Sequence, residues 1–87
     1  MDDKRYTEIQ EEVDVMAHFP QKGQCEPIRF RWEGRVYKPL KLIRAGYTLE
    51  GDRKIHQFSV EKKGTTFELL LDESNFRWKL ARMSWQG

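Results

Sequence analysis

Residues 28–37 alternate apolar and mostly basic side chains on both sides of a Glu33-Gly34 pair, and this constrains the fold more than any other feature of the chain. A period of two belongs to a half-buried strand, and a two-residue link with glycine is a strong local signal for a tight hairpin. The expected register sets Trp32 opposite Arg35, Arg31 opposite Val36, Phe30 opposite Tyr37 and Arg29 opposite Lys38. It buries Phe30 against Tyr37 and gathers Arg29, Arg31 and Lys38 on the other face. Gly34 is expected at positive φ, where a side chain would be penalised.

The same period and regular turn signals extend along the chain. Turn residues cluster at Pro20–Gly23, Gly46–Asp52, Lys62–Gly64 and Asp72–Asn75, the spacing of an antiparallel meander. Val13, Val15, Ala17 and Phe19 alternate with Asp14, Met16 and His18 in a first strand. Pro39 cannot donate to a ladder, so the third strand is expected to bend there. Ile55–Val60 and Thr66–Leu71 form a second hairpin. Facing Phe58 and Val60 toward Phe67 and Leu69 requires an even loop, either Lys62-Lys63 or Lys62–Thr65. The last strand, Phe76 to Trp85, slips phase near Ala81 so that Met83 can join the core. The fold class is therefore all-β, a six-stranded antiparallel meander forming a small barrel or strongly bent sheet, which limits raw edges. Residues 1–11 are set apart as an acidic N-terminal segment, a short helical turn or a frayed tail, and residues 12–87 as a single small β-domain. The expected core is Phe30, Tyr37, Phe58, Val60, Phe67, Leu69, Trp78 and Leu80.

Composition limits what such a domain can be. At 87 residues there is room for one core, and with 38% hydrophobic residues the three Trp, five Phe and three Tyr must supply much of it. Cys25 is the only cysteine, which excludes an internal disulfide and a paired-thiol metal knuckle. With no apolar run of membrane-spanning length and no signal-peptide pattern after Met1, the cytoplasm is the expected compartment. Charge is uneven. Residues 1–20 hold two bases against six acids, a net −4, and residues 21–87 hold fourteen bases against eight acids, a net +6. That division suits an anionic partner, or an acidic segment packed on its own basic body.

The run Pro27-Ile28-Arg29-Phe30-Arg31-Trp32-Glu33-Gly34-Arg35-Val36-Tyr37, then Phe58-Ser59-Val60, Gly64 to Leu69 and Trp78-Lys79-Leu80, resembles a small bacterial domain family of unknown function. The family pattern is P-x-x-F-x-W-x-G-R-x-Y, an F-x-V strand, a G-x-x-[FY]-E-L strand and a closing W-x-L, spanning residues 12–85 here. The resemblance implies a domain found alone or appended to DNA damage tolerance proteins, with no activity assigned. The chain departs from the pattern at Pro39 and at Gly46-Tyr47.

Basic and aromatic residues interleave in Arg29-Phe30-Arg31-Trp32 and Arg77-Trp78-Lys79, as in surfaces where bases meet phosphates and rings stack on nucleobases. Strand alternation with rings inside produces the same string without a ligand. Only Trp32 beside Arg35 offers a ring and a base together at a strand end, where a cation–π pair is the simpler role. The candidate binding residues are Arg29, Arg31, Lys38, Arg77 and Lys79, with Trp32 and Arg35, and Glu61 and Glu68 are their expected counter-charges. His18, His56 and Cys25 lack the short spacing of a zinc site, and Cys25 has no implied base, so neither metal ligands nor catalytic residues are expected. No cofactor is implied. The expected function is a non-catalytic binding module, either nucleic-acid binding through a basic sheet face or a protein-interaction adaptor docking through an edge strand or the acidic N-terminus.

Overall fold

The Glu33-Gly34 hairpin forms in the expected register, with Phe30, Arg31 and Trp32 opposite Tyr37, Val36 and Arg35. Glu33 and Gly34 both have positive φ, 53° and 76°, as do Lys63 and Gly64 at 50° and 83°. Two successive left-handed residues give a turn whose twist matches the strands it joins. A Cβ added at Gly34 or Gly64 would meet nothing within 4 Å, so backbone conformation alone calls for glycine there.

The computed structural model describes residues 6–85, which form seven strands: β1 (Tyr6–His18), β2 (Glu26–Trp32), β3 (Arg35–Tyr37), β4 (Lys41–Glu50), β5 (Arg53–Lys62), β6 (Thr65–Asp72) and β7 (Arg77–Trp85). They make one antiparallel sheet in the order β3-β2-β1-β7-β6-β5-β4. The β5–β6 loop is even, as parity requires. Phe58 pairs with Leu69 and Val60 with Phe67, but the ladder runs on to Lys62 and Thr65, so the turn is Lys63-Gly64.

The seventh strand arises at Pro39, where the expected third strand divides in two. Lys38, Pro39 and Leu40 are the whole connection between β3 and β4, so Tyr37 and Lys41 lie within about 14 Å. An odd number of strands in an all-antiparallel ladder leaves the first and last pointing the same way. β4 therefore continues the direction of β3, after a bend that moves the chain from pairing with β2 to pairing with β5. β1 behaves alike, pairing through Tyr6–Val13 with β7 and through Asp14–His18 with β2. Two bent strands thus curl the sheet, which stays open because no hydrogen-bonded ladder joins its two edges.

Three further details differ from expectation. Residues 6–11 are strand, neither helix nor tail, because cross-strand partners on β7 hold them, Glu8 opposite Arg82 and Glu11 opposite Leu80; residues 1–5 lie outside the described residues. β4 runs through Gly46 and turns only at Gly51-Asp52, because the ladder to β5 continues to Glu50 and Arg53. Phe76 belongs to the loop before β7, at φ 55°, with its amide donating to the Asp72 carbonyl at 2.7 Å.

The phase slip near Ala81 is present. Leu80 pairs with Leu69 and Arg82 with Glu68, which leaves Ala81 as an extra residue and turns Met83 toward the core. β1 bulges at the same level, and the Gln10 side-chain amide donates to the Ala81 carbonyl at 3.4 Å. The buried cluster is Phe30, Phe58, Val60, Phe67, Leu69, Leu71 and Leu80. Tyr37 stacks on Phe30 at 4.9 Å and Trp78 packs on Phe58 at 5.5 Å, but both are half-buried, since each lies where a bent strand leaves its neighbour.

Candidate functional site

Alternation places Arg29 and Arg31 on the outer face of β2, and Arg77 and Lys79 on the outer face of β7. β1 lies between those strands. On its outward side Asp14 stands opposite Arg31, Glu12 opposite Lys79 and Glu8 opposite Arg82, while Arg29 faces Met16. Glu12 Oε1 is 3.4 Å from Arg77 Nη1, and Glu8 Oε2 is 3.8 Å from Arg82 Nε. Glu8, Glu12 and Asp14 of β1 thus lie between two basic strands and divide what the sequence suggested as one basic surface. Lys38 does not pair with Arg29, because β3 ends at Tyr37 and Lys38 falls in the bend.

Trp32 and Arg35 do not form the expected cation–π pair. The Arg35 guanidinium lies 5.8 Å from the Tyr37 ring centroid instead. Trp32 Nε1–H donates to Glu11 Oε1 at 3.0 Å, fastening the β2–β3 hairpin to β1. Of the expected counter-charges, Glu68 accepts from Ser59 Oγ at 3.2 Å and stands opposite Arg82, while Glu61 stands opposite Lys41, so neither serves the candidate residues.

Where β1 passes from β7 to β2, an open cleft of about 750 Å³ lies between the Glu33-Gly34 turn and the Asn75-Phe76 loop. Trp32, Trp78, Arg31 and Arg77 line it together with Glu11, Glu12 and Asp14. Within it Arg77 pairs with Glu12, and the Trp32 indole donates to Glu11. The His56 ring stacks on Phe58 at 6.4 Å with its Nε2 3.8 Å from Glu73 Oε2, a histidine at the core edge. Burial, and secondarily the Glu26 carboxylate, push the Cys25 thiol above its ordinary range, which keeps it protonated and poorly nucleophilic. Among the described residues no group of three or more His, Cys, Asp and Glu is placed to hold a metal.

The most distinctive exposed feature is β4. It pairs with β5 along one side and has no strand on the other over its 10 residues. Ile43, Tyr47 and Leu49 on this one strand are 52%, 58% and 66% exposed. The bulge at Ile43 puts Arg44 opposite Ser59 on the outer face and Ala45 opposite Phe58 on the inner face. Tyr47 and Leu49 continue the inner row beyond the core, and Lys54 Nζ sits 4.4 Å from the Tyr47 ring centroid. Lys38, Lys41 and Arg44 take part in no ion pair among the described residues, unlike Arg77 and Arg82 beside β1. Sequence reasoning missed this strand by ending it at Gly46. The alternation of Ala45, Tyr47 and Leu49 with Arg44, Gly46 and Thr48 was the available signal.

No family model, no curated protein and no solved structure matches the chain, so the resemblance to the small bacterial family rests on its motif residues alone.

Proposed function

We propose that this chain is a non-catalytic protein-interaction module that takes an extended segment of a partner along the free edge of β4. One observation carries the reading: a 10-residue edge strand with unused backbone groups on one side also bears three of the exposed large apolar side chains. Backbone hydrogen bonds along such an edge supply affinity and alternate side-chain contacts supply selectivity. Lys41, Arg44 and the bulge at Ile43 guard the first part of this edge, whereas the stretch from Ala45 to Leu49 carries no charge and stays open, which suits a docking role. The acidic N-terminal strand is the weaker docking element, because Glu8 and Glu12 already face Arg82 and Arg77. The nucleic-acid reading needs a continuous basic face, and the acids of β1 interrupt it.

The test is selection of extended peptides from a displayed random library, with the binding site mapped by amide resonances in the intact chain. Selected peptides are expected to move the resonances of Arg44–Glu50 most. Peptides acting only elsewhere, or a short oligonucleotide moving Arg29, Arg31, Arg77 and Lys79 while no peptide moves β4, would overturn the reading.

A further inference from the structure

Resting on the edge reading above, we infer that the strand received by β4 is acidic, alternating apolar side chains with carboxylates over about seven residues. Three features converge on this occupant. The bulge at Ile43 interrupts regular pairing, so an incoming strand finds an unbroken template only along Arg44–Glu50. On that template the inner row is Ala45, Tyr47 and Leu49, which extends past the buried core and leaves Tyr47 and Leu49 mostly in solvent. A side chain facing inward from an added strand covers these groups, which favours an apolar residue at every second position.

The positions between point to the outer side, and the charge left without an ion pair there is basic. Arg44 lies on the outer face opposite Ser59, with Lys41 beyond the bulge, opposite Glu61, and Lys38 in the adjacent bend, and none of the three is within ion-pair distance of a carboxylate among the described residues. The acid of this strand, Glu50, is taken up by Arg53 at 3.5 Å at the far end. Lys54, over Tyr47, adds a further base at the inner rim. Carboxylates on the outward positions of the guest are therefore attracted, and bases there are repelled. Beside β1 the chain's own carboxylates lie 3.4 Å from Arg77 and 3.8 Å from Arg82, whereas Lys38, Lys41 and Arg44 make no such contact among the described residues.

The experiment titrates the full chain with three blocked heptapeptides in which valine alternates with glutamate, with serine or with lysine. Amide resonances of Arg44–Glu50 locate binding and give affinities. The glutamate peptide is expected to bind about three- to tenfold tighter than the serine peptide, with the lysine peptide weakest, and raised salt should shrink the differences. The paired charge reversal Lys41→Glu with Arg44→Glu should invert the order. Arg44→Gln, which is milder on the fold, should erase much of the preference. Equal binding of all three peptides at β4 overturns the acidic partner and leaves the edge reading standing. No perturbation of β4 by any of them, in a chain whose spectrum stays folded, overturns both.

Discussion

Trp32 and Glu11 are joined by an indole-to-carboxylate hydrogen bond of 3.0 Å across 21 residues of sequence. The bond ties the tip of the β2–β3 hairpin to β1 just before β1 leaves β7, where the sheet bends. Glu11→Ala is expected to lower stability by about 0.5–1.5 kcal/mol, the usual net value of such a bond. Glu11→Gln, which keeps an acceptor oxygen, should recover much of the loss in urea denaturation. Equal losses for both variants would mean the carboxylate acts through charge.

The aromatic packing gives a ranked expectation. Phe30 is 1% exposed, stacks on Tyr37 and meets Phe67 edge-on at 5.1 Å, so Phe30→Ala should cost about 3–5 kcal/mol. Trp78 is only half-buried, and its truncation should cost less than that of Phe30, although the indole is the larger ring. A midpoint shift for Trp78→Ala exceeding that for Phe30→Ala would contradict the placement of the core.

Gly34 isolates backbone strain from crowding. Because a Cβ there meets nothing within 4 Å, Gly34→Ala should cost about 1–2 kcal/mol through its φ of 76° alone. Gly34→Asn should cost less, since asparagine tolerates the left-handed region. Similar losses for both substitutions, by thermal melting, would point to a contact instead.

Hydrogen bonds from the Ser74 hydroxyl and amide, aided by Arg53, hold the Asp72 carboxyl below its ordinary range. A depressed carboxylate contributes stability that is complete above its unfolded value of about 3.9 and is lost as pH falls through the lower folded value. The stability advantage of the natural chain over Ser74→Ala should therefore be constant near neutrality and fade below about pH 4. An advantage that grows on acidification would reverse the sign and refute the assignment.

The β2–β3 register was legible because alternation and turn chemistry agree over ten consecutive residues. The slip at Ala81 was legible because Met83 falls out of phase with Leu80. The strand at Tyr6–Val13 was hidden by its own bulge, where Gln10 at φ 55° breaks the period of two between Thr7 and Glu11. Pro39 signalled an interruption, but local pattern cannot say that the chain changes partner there, because that depends on which strands become neighbours. The arrangement of the candidate residues was hidden for the same reason. The acids near the N-terminus and the bases of β2 and β7 were each visible, yet only the strand order interleaves them, and Gly46 disguised the continuity of β4.

Hydrogen exchange along β4 bears most directly on the proposal that its outer edge receives a partner strand. In the free chain, alternate amides of Arg44–Glu50 should exchange quickly while their neighbours, bonded to β5, are protected. Saturation with the glutamate-alternating peptide should slow the fast set and leave the outer faces of β2 and β7 unchanged. Uniform protection of Arg44–Glu50 without peptide, or fast exchange that persists when peptide is bound, would contradict it.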